Sequence, residues 1–252
     1  MISKKAQFGK NVEIGESVTI EDDVIIGDNV TVGSCAFIGN GARISEDVKI
    51  YHGAIVSAAP QDLKYRNEPT TCHIGKNTVI RECATVSRGT TYSNNTKAGE
   101  NCLLMAYSHI AHDCIVGDNV IFANCASLGG HVEVGDYVIF GGLVGVKQFT
   151  KIGKHSFITA GSLITKDTPP FVIASGHIEV RYYGLNVVGL KRRGFSSDRI
   201  RKIKDVYEII FNSQYNVSDA IKKIKNEIES DEDVNDIINF IEKSKNGIIK
   251  GL

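Results

Sequence analysis

Large apolar residues recur every six positions along most of this chain. The series starts at Ile14, reaches Ile164, and is interrupted twice. The positions two residues earlier in each unit, such as Val12 and Val18, are also apolar but smaller on average. This period matches neither the repeat of about 3.6 residues in an amphipathic helix nor the strict alternation of a long strand. Only four positions in the series are not large and apolar: Asp62, Glu68, Tyr92 and Ala98.

A six-residue repeat with two apolar positions predicts short strands joined by tight turns in a parallel β-helix. Three such units form one coil of about 18 residues, and each coil buries its apolar side chains against the next, as in other solenoids. We therefore predict a mostly β fold whose core is a column of aliphatic side chains.

The two interruptions are polar and rich in turn-forming residues: 60–71, "PQDLKYRNEPTT", and 91–99, "TYSNNTKAG". They are predicted to be loops that project from the coil. Loops on a rigid scaffold often carry function. Tolerated insertions are an equally good interpretation at this point.

The repeat ends near Pro169-Pro170, a pair that breaks regular structure. Beyond residue 195 the apolar spacing becomes helical, with Ser196 or Ser197 and then Ser218 as candidate N-caps and an end near Gly247. We predict a β-helix over 1–190, including a connecting segment after the proline pair, and a small α-helical domain over 191–252. Three apolar stripes carry the helical prediction: Ile200, Ile203, Tyr207 and Ile210; Ile221, Ile224 and Ile228; Val234, Ile237, Ile238 and Ile241.

The stretch "AYSHIAHDC" (106–114) holds two histidines, an aspartate and a cysteine. The repeat makes Ile110 and Cys114 inward residues. His109, His112 and Asp113 are therefore predicted to point outward. Such a cluster suggests either a metal site or a catalytic site.

One coil further on, His112 is followed by Gly130 and then Gln148, and Asp113 is followed by His131. No insertion interrupts this part, so these residues should stack in adjacent coils about 5 Å apart. A histidine beside a carboxylate is a natural general base, and a free N–H at Gly130 could stabilise an oxyanion. Because Cys114 points inward, this set favours direct acyl transfer without a covalent intermediate.

Composition narrows the class of protein. Lysine plus arginine equals aspartate plus glutamate, 29 each, so the overall charge does not favour nucleic-acid binding. No apolar run is long enough to span a membrane, and the N-terminus lacks a signal segment; a cytoplasmic location is predicted. The six cysteines form no C-x-x-C pair, so reduced thiols are expected, with no metal and no cofactor.

Several motifs together resemble the UDP-N-acetylglucosamine acyltransferase family: "PQDLKY", "IRECATVSRGT", "LLMAYSHIAHDC", "LGGHVEVGD", "VKQF", "DTPPFVIASG" and "GLNVVGLKRRGF". The resemblance covers essentially the whole chain. It implies a homotrimer of left-handed β-helices with active sites in the clefts between subunits. It also implies transfer of a 3-hydroxyacyl group from acyl carrier protein to the glucosamine 3-hydroxyl of UDP-N-acetylglucosamine, the first step of lipid A synthesis.

The resemblance also implies roles for individual residues. It makes His112 the general base, Asp113 the carboxylate that orients it, and Gly130 the oxyanion donor. The substrate-binding positions that it implies are Gln61, Asp62, Lys64, His109, His131, Lys147, Gln148, Asn186, Arg192 and Arg193.

Two positions depart from the family pattern and bear on the nucleotide contacts. Lys147 stands where histidine is frequent, and Val188 stands where an acidic residue is frequent. The basic stretch 191–204, "KRRGFSSDRIRKIK", suits either a solvated helix face or the docking of the acidic acyl carrier protein.

Four other functions fit parts of the sequence. An acetyl-CoA-dependent hexapeptide transferase would share the fold and the base but use another donor. The N-acyltransferase of the next lipid A steps carries an additional N-terminal uridine-binding domain, for which a repeat beginning by residue 12 leaves no room. A γ-type carbonic anhydrase would use His109, His112 and His131 as zinc ligands. A non-catalytic scaffold would leave the ladder of His112, Gly130 and Gln148 unexplained.

Overall fold

The repeat folds into short strands in the computed structural model, which describes residues 1–211 and 214–251. In chain order the strands are β1 (Gln7–Phe8), β2 (Glu13–Ile14), β3 (Thr19–Ile20), β4 (Val24–Ile26), β5 (Thr31–Val32), β6 (Phe37–Ile38), β7 (Ala42–Ile44), β8 (Lys49–Ile50), β9 (Ile55–Ala58), β10 (Thr71–Ile74), β11 (Val79–Ile80), β12 (Thr85–Ser87), β13 (Asn95–Ala98), β14 (Leu103–Leu104), β15 (His109–Ile110), β16 (Ile115–Val116), β17 (Ile121–Phe122), β18 (Ser127–Leu128), β19 (Glu133–Val134), β20 (Ile139–Phe140), β21 (Gly145–Val146), β22 (Lys151–Ile152), β23 (Phe157–Ile158), β24 (Leu163–Ile164), β25 (Val172–Ser175) and β26 (Arg181–Leu185).

Every third strand joins the same sheet, so the coil has three faces. The first face is β1-β4-β7-β10-β13-β16-β19-β22, the second is β2-β5-β8-β11-β14-β17-β20-β23-β25-β26, and the third is β3-β6-β9-β12-β15-β18-β21-β24. All pairings are parallel except that of β25 with β26. The predicted β-helix is confirmed.

The core is the column of inward residues that the six-residue period predicts. Ile110, Cys114 and Leu128 are almost completely buried, and Phe122 packs on Phe140 with ring centroids 4.7 Å apart. Most turns between faces contain a residue of positive φ, a conformation that Asn, Asp and His tolerate better than most non-glycine residues. The side chains at these corners therefore stack along the edges of the prism.

The strand register shows how much chain each insertion adds. His109 pairs with Ser127, a regular step of 18 residues, whereas Thr85 pairs with His109, 24 residues on. The second insertion therefore adds six residues. Ile55 pairs with Thr85, so the first adds twelve. The predicted loop 91–99 extends too far, because β13 returns to the first face at Asn95, where Thr96 and Ala98 point into the core.

Four helices follow the coil within the described residues: α1 (Val187–Arg192), α2 (Ser197–Ile210), α3 (Val217–Glu227) and α4 (Glu232–Glu242). Helix α1 begins before the predicted boundary at 190/191. Ser196 caps α2 as predicted, but Asn216 rather than Ser218 caps α3, and α4 ends five residues before Gly247. The Tyr207 hydroxyl donates to the carbonyl of Pro170 at 2.6 Å and so ties α2 to the coil. None of the helices described is long and apolar enough to cross a membrane.

Candidate active site

His112 and Asp113 lie on the turn between β15 on the third face and β16 on the first. Gly130 and His131 occupy the same turn one coil on, since the N–H of His131 donates to the carbonyl of His112 at 3.0 Å. One coil further, the N–H of Phe149 donates to the carbonyl of Gly130 at 3.0 Å. The stacking predicted from the 18-residue step is therefore present.

His112 and Asp113 form a hydrogen-bonded pair. Nδ1 of His112 lies 2.8 Å from Oδ2 of Asp113. An ionised carboxylate can only accept, so Nδ1 carries the proton. The other ring nitrogen, Nε2, is then left free to accept a proton, as a general base requires.

Asp113 lies at a corner of the coil, as predicted, and its side chain is buried there. Residues 88–94, which join β12 to β13 and include the start of the second insertion, cover it. Oδ1 accepts from the Thr90 N–H at 3.0 Å and the Ser93 hydroxyl at 2.5 Å, and Oδ2 accepts from the Thr90 hydroxyl at 2.7 Å. Burial alone would raise the pKa of Asp113, but hydrogen bonds from Ser93, Thr90 and His112 outweigh it and lower the pKa to about 2. The carboxylate is therefore ionised at any ordinary pH.

Gly130 lies directly under the His112 ring. A Cβ built at Gly130 would come within 2.6 Å of Cε1 and 2.8 Å of Nε2 of His112, so only glycine allows this approach. The backbone N–H of Gly130 has no acceptor within the described part of the chain. At the same turn position elsewhere, the N–H of Glu100 and of Asp118 donates to an aspartate one coil on. The Gly130 N–H is thus a free donor on the residue that lies against the His112 ring.

His131 fills the corner beside this pair. Its ring stacks on Phe149 with centroids 4.2 Å apart and meets the edge of Tyr92 at 4.5 Å. Burial lowers its pKa, against the opposing effect of the Asp113 charge. Its Nδ1 lies 3.8 Å from Oδ2 of Asp113 and makes no hydrogen bond to a described residue.

A cleft of about 640 Å³ opens in front of these residues along the third face. His109 stands on its floor, with Nδ1 2.7 Å from the Thr85 hydroxyl, and burial lowers the pKa of His109. The residues that line this cleft include six site residues predicted from the sequence: Gln61, His109, His112, Gly130, Lys147 and Gln148.

The first insertion reaches this cleft from one side. Gln61 lines it, and the charge of Asp62 acts on the pKa of His131. Lys64 is exposed, with its N–H on Oδ1 of Asp62 at 2.9 Å. The two insertions are linked through Arg88, whose Nε donates to the Tyr65 hydroxyl at 2.8 Å.

Asn186, Arg192 and Arg193 do not join this site within one chain. Asn186 caps α1 and donates to the carbonyl of His155 at 2.9 Å, while Arg193 donates to the carbonyl of Tyr137 at 3.0 Å. Tyr137 and His155 lie on the corner between the first and second faces, one corner away from His112. Arg192 is exposed at the end of α1, and Nη1 of Arg193 has no described partner.

Thr90 and Ser93 are functional candidates that the sequence reading missed. Their short polar side chains appear in a segment of ordinary turn composition. The sequence contains one indirect signal for them. The six-residue insertion lies one coil before the "HIAHDC" turn and on the same corner of the prism.

His112, Asp113 and His131 also bring three possible metal-ligand atoms within 4.8 Å of one another. Asp113, however, already accepts hydrogen bonds from three residues. His109, which a three-histidine zinc site would need, is bonded through Nδ1 to Thr85. The donor set therefore suits a proton-transfer pair better than a zinc site.

Known proteins are similar to this chain in both sequence and fold. The family model for UDP-N-acetylglucosamine O-acyltransferase, domain 2, matches residues 167–249, and the bacterial transferase hexapeptide model matches residues 5–40 and 95–130. An acyl-[acyl-carrier-protein]–UDP-N-acetylglucosamine O-acyltransferase from Thiobacillus denitrificans is 44% identical over 203 residues, covering 80% of this chain and 78% of that protein.

Solved structures agree over nearly the full length. UDP-N-acetylglucosamine acyltransferase from Bacteroides fragilis 9343 superposes with a TM-score of 0.97 at 39% identity, covering 99% of this chain and 97% of that one. The enzyme of the same family from Acinetobacter baumannii gives 0.96 at 40% identity with the same coverage. The chain belongs to the acyl-[acyl-carrier-protein]–UDP-N-acetylglucosamine O-acyltransferase family.

Proposed function

We propose that this chain transfers a 3-hydroxyacyl group from acyl carrier protein to the glucosamine 3-hydroxyl of UDP-N-acetylglucosamine, the first step of lipid A synthesis. The observation that carries the proposal is the His112–Asp113 pair in contact with Gly130, whose N–H is free, at a point where His112 and Gly130 both line the cleft. The names of its relatives supply the two substrates.

The chemistry follows from these groups. Nε2 of His112 takes the proton of the sugar hydroxyl as its oxygen attacks the thioester carbonyl. The Gly130 N–H donates to the oxygen that becomes negative, and the thiol of the carrier leaves with the proton from His112. Asp113 stays ionised and stabilises the imidazolium that forms between these two transfers.

The remaining predicted residues are assigned to substrate binding. Lys64, His109, His131 and Gln148 are proposed to hold the sugar and acyl portions. The Asn186–Arg193 corner is proposed to hold the nucleotide, with Lys147 available for a phosphate.

Docking of the acyl carrier protein is proposed at the start of the basic stretch. Further along, Arg199 pairs with Asp233 and Lys202 with Asp231 at 3.0 Å. Arg201 and Lys204 pair with acidic residues of their own helix. The exposed charges left for an acidic partner are thus those of Lys191 and Arg192. A cytoplasmic location stays a prediction.

We further propose a homotrimer. The outward positions of the second face are apolar in five successive coils, an unusual surface for an isolated chain. A ring in which the second face of one copy packs against the third face of the next would bring the Asn186 corner of one copy to the His112 turn of another. The apolar positions are Val79, Leu103, Ile121, Ile139 and Phe157.

Light scattering should therefore give three times the chain mass of 27.4 kDa. Ile139→Glu should dissociate the trimer, because it buries a charge in the interface. Ile25→Glu, an exposed outward position on the first face, should leave the mass unchanged. A monomeric wild-type protein with full activity would contradict the proposed cleft between subunits.

One assay separates this function from its alternatives. Purified protein is offered a series of 3-hydroxyacyl carrier proteins, and separately acetyl-CoA, with UDP-N-acetylglucosamine or its 3-amino analogue, and the product is identified by mass. Acyl transfer from the carrier protein supports the proposal. Transfer only from acetyl-CoA, or CO₂ hydration by zinc-loaded protein without acyl transfer, would replace it.

A further inference from the structure

The connection 88–94, which contains the start of the second insertion, covers the catalytic pair. Its turn contains a hydrogen bond from the Asn94 N–H to the carbonyl of Thr90 at 2.8 Å, and it brings Thr90 and Ser93 onto the Asp113 carboxylate. Thr90 is itself buried. The backbone N–H of Asp113 is also held, by the hydroxyl of Thr96 at 2.8 Å.

Each hydroxyl has a single proton, and the contacts indicate where it goes. The Thr90 hydroxyl accepts from the Tyr92 N–H at 3.2 Å, which leaves its proton for Oδ2 of Asp113. The Ser93 hydroxyl lies 2.5 Å from Oδ1 and 2.8 Å from the carbonyl of Asn95. A charged acceptor binds the stronger hydrogen bond, so the proton goes to Asp113.

We propose that Thr90 and Ser93 are positioning residues for catalysis: they hold the Asp113 carboxylate in one orientation and ionised, so that it fixes the His112 tautomer and ring. This inference rests on the proposed function of His112. This role would also explain the six-residue insertion, because a regular 18-residue coil would leave Asp113 without these donors.

The electrostatic surroundings make the effect measurable. The titratable groups around Asp113 are His112 on its own turn and His131 one coil on, with Asp62 acting on His131 and His112 acting on His109. Without the Thr90 and Ser93 donors, burial is opposed by fewer hydrogen bonds, and the pKa of Asp113 rises. Protonation of Asp113 then begins at a higher pH than in the wild type.

The test is the pH profile of acyl transfer for Thr90→Val, Ser93→Ala and the double variant. We expect kcat of the double variant to fall about tenfold or more near neutral pH. KM for the nucleotide sugar should be nearly unchanged, and the acid limb of the profile should move to higher pH. Thr90→Ser should restore the wild-type profile. Thr91→Val serves as the matched control, because Thr91 is exposed on the same turn and makes no hydrogen bond to a described residue.

Thermal melting and the His112→Ala variant distinguish failure of the positioning role from failure of the proposed base. An inactive His112→Ala enzyme alongside a double variant with a wild-type profile would overturn the positioning role alone. Loss at all pH values in parallel with a lowered melting temperature, without rescue by Thr90→Ser, would assign these hydroxyls to folding and also overturn it. An active His112→Ala enzyme would instead overturn the proposed base.

Discussion

Replacing His112 with alanine is expected to abolish acyl transfer, with kcat lowered by about 10²- to 10⁴-fold or more. The variant removes the imidazole that lies against Gly130 and whose Nε2 is free to accept a proton. The ring is anchored through Nδ1 to Asp113, so no other side chain is held in the same place. The measurement is steady-state transfer of a 3-hydroxyacyl group from carrier protein to UDP-N-acetylglucosamine.

His73→Ala provides the matched control for this variant. His73 is an exposed histidine on the first face, where it contacts the Thr71 hydroxyl at 3.2 Å. We expect that variant to keep wild-type activity. Both variants should keep the oligomeric mass and melting temperature of the wild type, because neither ring belongs to the apolar core. Near-normal activity of a correctly assembled His112→Ala enzyme would refute the mechanism.

The coil could be predicted from the sequence because every six-residue unit buries its apolar side chains in the same way. Each hexad buries the same two positions, so Ile110 and Cys114 could be assigned inward by counting alone. The same counting placed His131 one coil beyond Asp113 and Gly130 one coil beyond His112. An uninterrupted run of coils allows no other register without exposing apolar side chains.

The environment of Asp113 could not be predicted in this way. The repeat gives the corner at which a side chain lies, but whether that side chain is buried depends on what covers the corner. Here the cover is the turn with Thr90 and Ser93, whose path is set by its own hydrogen bonds rather than by the period. For the same reason the period did not show that β13 returns to the coil at Asn95.

The corner between the first and second faces shows a different limit of prediction from the sequence. The resemblance assigned Asn186 and Arg193 to the same reaction as His112, yet in one chain they contact His155 and Tyr137 on another edge of the prism. Both observations fit if the site is assembled from two copies. Nη1 of Arg193, a buried nitrogen without a described acceptor, is then available to an anion, since a buried donor left unbonded is costly.

Replacing Gly130 with alanine is expected to lower kcat by about 10²- to 10³-fold, because the added Cβ pushes the base out of alignment with the oxyanion donor. The added methyl group would come within 2.8 Å of Nε2 of His112, a distance at which the imidazole must move. The substitution therefore displaces the base, while the backbone N–H of residue 130 is kept. We expect kcat to fall much more than the affinity for UDP-N-acetylglucosamine, because the donor acts on charge that develops in the transition state.

Gly142→Ala is the matched control for that experiment. Gly142 occupies the same position in its hexad as Gly130, but a Cβ there would lie 3.4 Å from its nearest neighbour, the carbonyl oxygen of Asn124. The control should therefore fold and turn over like the wild type. A Gly130→Ala enzyme with near-normal kcat would mean that the His112 ring can shift without loss, which removes the close approach of Gly130 to His112 from the mechanism.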